Sequence, residues 1–327
     1  MDAEPLSSTI QAIARKPRGR WLQYSWRTLQ VLVLALVLAI VCGLGWLELR
    51  RATDLGVLRR LVTDDSGSAI VTETEFAAVG YNIEEVDDAD MVHLRSLPDL
   101  RTLRLNGTKI TDDGLVQVPG LRMLSVLELD GTRITDAGLV LLKRLPRLEE
   151  LGLGGTQITN AALENFGGLT HLNSLNLNST QVTGVGFKHL HGLPRLECLY
   201  LSGSPVTDAG MEHLGGLTQL RHLELDATRV TDAGLVHLHG LTQLNRLSLR
   251  NTQVTDTGLQ HICGLTELRH LELDNTRITD AGLGHIQRLK QLLALDLDGT
   301  QVTEAGAKKL QTALPDVIIR GLTKKAD

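Results

Sequence analysis

The sequence predicts an α/β fold, a horseshoe-shaped solenoid with a parallel β-sheet on its concave side and short helices on its convex side, preceded by one transmembrane helix. Leucines recur every 24 residues from Leu97, so that nine units fill residues 97–312 without an insertion. Of the 327 residues, 42% are hydrophobic but only 3% are aromatic, which indicates a core of Leu, Ile and Val. An uncharged apolar stretch at residues 29–47 precedes the repeats.

The apolar stretch at 29–47 is interpreted as an uncleaved membrane anchor. As a helix, its 19 residues would extend about 28 Å, close to the thickness of a bilayer core. All 3 tryptophans flank it, as is typical of rings at the lipid headgroups. Five basic residues in the N-terminal tail, 1–28, compare with four in the juxtamembrane segment, 48–72. This bias predicts a cytoplasmic N-terminus and repeats on the extracytoplasmic side.

Both ends of the solenoid need a cap, because an exposed end would leave a row of leucines in water. Residues 73–96 are predicted to form a degenerate first coil, whose apolar residues stand 24 positions before those of the first unit. The pairs are Val79 and Leu103, Val86 and Ile110, Met91 and Leu115, and Leu94 and Val118. At the other end, residues 313–327 are predicted to form a final short strand and a polar tail. The apolar residues of that strand are Leu314, Val317 and Ile319.

Each 24-residue unit predicts a strand, a turn and a short helix. Unit positions 1, 4, 7 and 9 are Leu in all nine units, and alternation at positions 7 and 9 is typical of a half-buried strand. Position 15 is always Thr, usually followed by Asp-Ala-Gly-Leu, which predicts a threonine N-cap with an acidic residue at the positive end of the helix. Glycine at position 18 predicts close approach of the backbone to the next coil, and glycine at position 24 predicts the helix end.

This pattern resembles the leucine-rich repeat, L-x-x-L-x-L-x-x-N/C-x-L. Where that family places Asn or Cys, at unit position 12, this sequence has Thr in eight units and Ser204 in the fifth. The repeated I/V-T-D-A-G-L segment is similar to repeats of bacterial, notably planctomycete-type, membrane-anchored proteins. More distantly it is similar to the repeats of F-box leucine-rich proteins, which implies a ubiquitin-ligase-like substrate adaptor as one alternative function.

Composition and motifs limit the class of function. The net charge of −5 argues against nucleic acid as a partner, because nucleic-acid-binding domains usually carry a basic surface. The 3 cysteines are too few for a disulfide framework or a cysteine-rich metal cluster. The sequence contains no glycine-rich phosphate loop, H-E-x-x-H or paired C-x-x-C motif. We therefore expect a non-enzymatic chain with no cofactor and no metal site.

The concave face, defined as unit positions 6, 8 and 10, is the predicted binding surface for a protein or peptide. These positions alternate with the leucines of the strand and so project from the outer side of the sheet. Position 6 holds eight residue types in nine units, whereas the leucine columns never change. We expect a monomeric, membrane-anchored interaction scaffold. The candidate binding residues are Glu150, Asn176, Tyr200, His222, Glu224, Arg246, Arg250, His270, Glu272, Asp274, Asp296 and Asp298.

Two other groups of residues carry alternative hypotheses. Cys198, His222 and Glu224 have the residue types of a nucleophile, a base and a carboxylate, so an enzyme or sensor is the main alternative function. An open sheet offers neither a water-excluding pocket nor an oxyanion site, which disfavours it. Position 21 is His in five consecutive units, but at about 100° per residue it points to solvent on the convex side. Duplication of a parental repeat explains this column without a metal.

Four carboxylates come together at the C-terminal end of the concave face, because neighbouring strands lie about 4.8 Å apart. They are Glu272, Asp274, Asp296 and Asp298. Their mutual repulsion predicts that replacing the aspartates with Asn stabilises an empty solenoid, and that a basic segment or a divalent cation could bind there. Partial neutralisation by Arg250, on the preceding strand, is the alternative.

Overall fold

The computed structural model describes the backbone of residues 70–71 and 75–77 and, in full, residues 86–322. All of them belong to one compact unit of the chain, Arg51–Asp327. The predicted membrane anchor at 29–47 lies outside the described residues. Within those residues, no helix is long and apolar enough to span a bilayer.

Twelve strands form one sheet, in which spatial order follows chain order. The first two strands pair antiparallel, and every later pair is parallel. The strands are β1 (Ile70–Val71), β2 (Glu75–Ala77), β3 (Thr102–Arg104), β4 (Val126–Glu128), β5 (Glu150–Gly152), β6 (Ser174–Asn176), β7 (Cys198–Tyr200), β8 (His222–Glu224), β9 (Arg246–Ser248), β10 (His270–Glu272), β11 (Ala294–Asp296) and β12 (Ile318–Arg320).

From β3 to β11, each strand consists of unit positions 6 to 8 and pairs with the same positions of the next unit. The leucine at position 7 is therefore buried in every unit, while positions 6 and 8 lie on the concave face. This arrangement is the predicted parallel sheet. The described C-terminal cap also has the expected strand, β12, with Leu314 and Val317 buried beneath it.

Short helices cover the convex side. The 3-10 helices are Asp90–Ser96, Gly114–Gly120, Gly138–Arg144, Asn160–Asn165, Phe187–Gly192, Glu212–Gly216, Val236–Gly240 and His285–Arg288. The α-helices are α1 (Asp208–Met211), α2 (Asp232–Leu235), α3 (Asp256–Ile262), α4 (Asp280–Leu283) and α5 (Glu304–Ala313). The 3-10 form suits a unit with few residues left for this side, because it rises about 2 Å per residue. The last unit lacks the glycine at position 24, and its Ala, Lys and Gln residues favour the longer α5.

The N-terminal cap differs from the prediction. Phe76 of β2, rather than Val79, is the Cα partner of Leu103 in β3, so the strand register is shifted by three residues from the 24-residue period. Val86 and Met91 nevertheless pack into the core as expected. The three extra residues therefore fall between Phe76 and Val86 in the sequence. β1 pairs antiparallel with β2 and extends the sheet beyond this coil.

A ladder of aspartate–threonine bonds joins successive coils on the convex side. In each rung, the Asp at unit position 16 accepts two hydrogen bonds from the Thr at position 15 of the next coil, one from its backbone N–H and one from its hydroxyl. For Asp256 and Thr279 these bonds are 2.8 and 2.6 Å long. The rungs start at Asp88, Asp112, Asp136, Asp208, Asp232, Asp256 and Asp280.

The ladder adds to one sequence interpretation and corrects another. The acidic residue at position 16 lies in the first turn of the helix as expected, and it also holds the next coil. The threonine is the expected N-cap, since Thr279 Oγ1 accepts the N–H of Ala281. The glycine at position 18 makes room for that carboxylate rather than for backbone. A Cβ added to Gly258 would meet the Oδ1 atom of Asp232, and one added to Gly282 would meet that of Asp256.

The ladder is interrupted in the middle of the solenoid. Asn160 replaces the first missing aspartate and bonds Thr183 through its amide. Gly184 replaces the second, so Thr207 has no carboxylate partner and its N–H bonds the carbonyl of Thr183 instead. The coils approach closely here, since a Cβ on Gly184 would lie 2.6 Å from the Cα of Gly210. At two junctions, Gly186 against Asn160 and Gly210 against Gly184, glycine at position 18 does meet the backbone of position 16 in the preceding coil.

Unit position 11 adopts left-handed backbone in all nine units. Five units have Gly there, and Ser179, Ala227, Asn251 and Asn275 have φ angles of 52–55°. The expected helix stop at position 24 does not use this conformation in the described residues. The left-handed conformation is therefore required in the turn that follows each strand, not at the end of the helix. Next to it, the position 12 hydroxyl is buried and typically donates to the carbonyl of position 9, as Thr252 does to Leu249 at 2.6 Å.

Ala227→Gly is expected to stabilise the protein by about 0.5–1 kcal/mol, because a left-handed alanine costs more than the extra backbone entropy of glycine. The measurement is the free energy of unfolding in urea. Asn251→Gly is the matched control and should have almost no effect, because Asn tolerates this region. Destabilisation by Ala227→Gly would contradict the strain that we assign to this position.

Candidate protein-binding face

The structure places all twelve candidate residues on the concave face, at positions 6 and 8 of the strands or position 10 just beyond them. Their exposure differs. Glu150 and Asp298 are exposed, Glu272 is buried, and the remaining nine are partly exposed. Glu150 and His270 make no side-chain hydrogen bond within the described part of the chain, whereas the others form three connected clusters.

The central cluster consists of Cys198, Tyr200, His222 and Glu224, on β7 and β8. The two strands are in register, with Cys198 opposite His222 and Tyr200 opposite Glu224. Nε2 of His222 and Oε1 of Glu224 form a 3.0 Å hydrogen bond, and the edge of the Tyr200 ring meets the imidazole with 5.0 Å between centroids. The sequence placed these residue types on one face, and the structure brings them into contact.

Burial and neighbouring groups shift the pKa values of the central cluster. Burial alone would lower the pKa of His222, but its contacts with Cys198 and Glu224 outweigh this effect and raise that pKa to about 9. The hydrogen bond from His222 lowers the pKa of Glu224. Burial, followed by the neighbouring Cys198, raises the pKa of Tyr200 to about 12. At neutral pH the cluster therefore holds an imidazolium, a carboxylate and a neutral phenol.

The second cluster is a network of arginines and carboxylates around Glu272, which is only 5% exposed. Arg246 Nη2 donates to Glu272 Oε1 at 2.6 Å, and Arg250 Nη2 lies 2.8 Å from Oε2. The Ser248 hydroxyl lies within hydrogen-bonding distance of both Glu272 and Asp226, and its single hydrogen is shared between them. Burial of Glu272 is therefore compensated by two cations and a hydroxyl, as a buried charge requires.

The predicted repulsion among C-terminal carboxylates does not describe this structure. Arg250 Nε donates to Asp274 Oδ2 at 2.7 Å, and Arg320 on β12 lies 3.6 Å from Asp296. The second oxygen of Asp274 accepts the backbone N–H of Asp298. Burial would lower the pKa of Arg250, but Glu272 and Asp274 outweigh it and raise that pKa. Arg250 instead partly neutralises these carboxylates, which is the alternative that the sequence analysis left open.

The third cluster crosses the N-terminal coils. Asn176 Nδ2 donates to Asp130 Oδ1 at 3.0 Å across an intervening coil, whose Gly154 N–H also bonds that carboxylate. A Cβ on Gly152 or Gly154 would collide with Asp130, so the glycines provide the space for this contact. Burial raises the pKa of Asp130. In the sequence, the two glycines at concave positions of one unit were the feature that could have predicted the contact between Asp130 and Asn176.

Sequence reasoning missed a structural role of position 10. Side chains there accept the backbone N–H of position 10 in the next coil, as Asp226 does from Arg250 at 2.9 Å. The other acceptors are Asn106, Asp130, Asn178 and Asp274. Polar residues in this column are therefore partly constrained by the fold. Positions 6 and 8 remain the freer part of the concave face.

The convex histidine column lies partly exposed on successive helices. His189 is 3.9 Å from Glu164, and His285 is 3.4 Å from Gln260. Within the described ranges, no group of three or more His, Cys, Asp or Glu side chains is arranged to hold a metal ion.

Family comparison identifies the repeats. A family model described as leucine rich repeat matches residues 146–206 and 218–278, and a second leucine rich repeat model matches residues 96–117. No curated protein matches the chain significantly.

Several solved structures are similar to this chain. An internalin from Listeria monocytogenes, InlF, is 22% identical with a TM-score of 0.53, and the match covers 81% of this chain and 86% of that chain. Internalin C2 from the same organism is 28% identical with a TM-score of 0.46, covering 73% and 84%. A leucine-rich repeat protein from Leptospira interrogans is 19% identical with a TM-score of 0.45, covering 70% and 74%. The likeness to InlF supports the solenoid fold alone.

Proposed function

This chain is a leucine-rich repeat protein, and from that premise we propose that it is a non-enzymatic scaffold that binds a protein or peptide on its concave face. The observation that carries the proposal is the partly exposed Tyr–His–Arg row at the centre of that face. Tyr200, His222 and Arg246 lie on three consecutive strands. One extended partner that crosses these strands would meet the ring of Tyr200, the imidazolium of His222 and the guanidinium of Arg246.

The composition of the row is unusual within this chain. Among residues 86–322, Tyr200 is the only Phe, Tyr or Trp side chain that is not buried, because Phe166 and Phe187 are both in the core. Tyrosine and arginine are the residues most enriched among those that dominate binding energy. Arg246 contacts Glu272 through Nη2, and its side chain is 40% exposed, so part of the guanidinium stays accessible to a ligand.

Peptides selected from a random display library against the chain should bind through this row. Tyr200→Ala is expected to raise the Kd of the selected peptides by about 30-fold, and Arg246→Ala by about tenfold, because these residues would form the centre of the contact. Glu212→Ala, an exposed carboxylate on the convex side, is the control and should leave Kd unchanged. Selected peptides whose Kd is insensitive to both concave variants would refute the concave site.

The proposal includes a location. We infer that residues 29–47 anchor the protein in a bilayer, with the N-terminus cytoplasmic and the repeats extracytoplasmic. The apolar composition of that segment, its flanking tryptophans and the slight excess of basic residues before it support this arrangement. In right-side-out vesicles, added protease should then digest the repeats, and protection of the repeats would reverse the orientation.

A further inference from the structure

Cys198 lies at the centre of the concave face beside an imidazole that a carboxylate holds. Its Cα is the direct partner of the His222 Cα across β7 and β8. The imidazole bonds Glu224 at 3.0 Å, and its contacts with Cys198 and Glu224 together raise the pKa of His222. Cys198 is not in a disulfide and the residue is partly exposed.

We propose that Cys198 is a thiol-modification site, at which His222 and Glu224 activate the sulfur for exchange with small disulfides. An imidazolium next to a cysteine, held in place by a carboxylate, is an arrangement that activates cysteine nucleophiles, because the thiolate is the attacking form. The open sheet disfavours acyl transfer but not this reaction, because attack on a disulfide develops no oxyanion and requires only access to the sulfur.

The exchange step balances without any further reagent. Cys198 reacts as the thiolate, beside the His222 imidazolium, and its sulfur attacks one sulfur atom of the small disulfide. The old S–S bond breaks as the new one forms, which oxidises Cys198 to a mixed disulfide. The other half of the reagent leaves as a thiolate, is thereby reduced, and takes up a proton from water, which also receives the proton of Cys198.

The charges around the sulfur favour this step. Because the pKa of His222 is raised to about 9, the imidazole is a cation at neutral pH and stabilises a neighbouring thiolate. Arg246, opposite His222 on β9, adds a second positive charge. Glu224 opposes them but is engaged by His222, and Tyr200 on β7 is neutral below about pH 12. The other neighbouring strand, β6, presents the uncharged side chains of Ser174 and Asn176.

The test compares cysteines within the same full-length chain. The probe is 2-hydroxyethyl disulfide, which is uncharged, and the mixed disulfide at each cysteine is followed by peptide mass spectrometry. Cys198 is expected to react at least about tenfold faster than Cys263 at pH 7, because Cys263 on the convex side has no imidazole–carboxylate pair among the described residues. His239, at the same unit position of the preceding coil, bonds the Val236 carbonyl instead. This ratio should shrink above pH 9, as His222 loses its proton.

Variants separate activation from simple exposure. His222→Asn should lower the Cys198 rate to that of Cys263, and Glu224→Gln should give an intermediate rate. His270→Asn, the same change at the same unit position on β10, is the control and should have no effect. Equal rates for Cys198 and Cys263 in the unaltered chain overturn the proposal. If His222→Asn disturbs folding, which a changed Cys263 rate would reveal, an unchanged Cys198 rate in Glu224→Gln overturns it equally.

Discussion

Asp256→Ala is expected to destabilise the solenoid by about 2–4 kcal/mol, because it removes two hydrogen bonds to a charged acceptor at one coil junction. Thr279 would lose the partner of both its backbone N–H and its hydroxyl, at 2.8 and 2.6 Å. The N-terminus of α3 would also lose the acidic residue that complements its dipole. The measurement is urea unfolding of the purified chain, followed by circular dichroism.

Two further variants show whether the junction is responsible. Asp256→Asn should cost clearly less, because Asn160 already makes the equivalent contacts with Thr183 in this protein. Asp316→Ala removes an exposed carboxylate that makes no hydrogen bond within the described residues, and its effect should stay within about 0.5 kcal/mol. A loss for Asp256→Ala as small as that of the Asp316 control would show that the ladder contributes little.

Arg250→Met is expected to destabilise the protein by about 2–3 kcal/mol, because it leaves Glu272 and Asp274 without a shared cation. Both carboxylates lie within 2.8 Å of the guanidinium, whose side chain is 39% exposed, and this exposure keeps the expected loss below that of a fully buried pair. Arg195→Met, on an exposed arginine, is the control.

Salt and a second substitution identify the cause of that loss. If repulsion among the exposed carboxylates dominates in Arg250→Met, 0.5 M NaCl should recover part of the stability by screening it. Adding Asp274→Asn should then stabilise the variant, whereas Asp274→Asn in the unaltered chain should destabilise by removing the Arg250 partner. Stabilisation of the unaltered chain by Asp274→Asn would instead support the repulsion predicted from the sequence.

Periodicity made the repeating part of the fold predictable. Each strand, each buried leucine and the threonine caps follow from residues that recur at fixed positions, because a position repeated in every coil has the same surroundings in every coil. Phe76 shows where this reasoning fails. The cap has only one neighbouring coil, so no repeat fixes its loop length, and the 24-residue spacing pointed to Val79 instead.

Contacts between side chains at different unit positions of neighbouring coils could not be predicted in the same way. The sequence shows that positions 15 and 16 are Thr and Asp, but the pairing of one with the other across 23 residues depends on the rise and stagger of the coils. Likewise, the sequence placed Arg250 beside Asp274, but not the side-chain conformation that lets its guanidinium reach Glu272 as well. The Cys198 and His222 contact could be anticipated, because register alone brings them together.

Regular junctions also have a consequence for how such a chain can change in length. Where each bond joins the same positions of adjacent coils, removal or duplication of a whole unit recreates the bonds of the aspartate–threonine ladder, and the face becomes one strand shorter or longer. The coils around Asn160, Gly184 and Ser204 are different. Ser204 donates to the carbonyl of Leu177 and accepts the N–H of Thr180 in the preceding coil, and Gly184 lies close against Gly210. A change in the number of units would therefore preserve the convex ladder outside these central coils, whereas contacts of the concave face that depend on particular side chains, such as that of Asp130 with Asn176, would not be recreated.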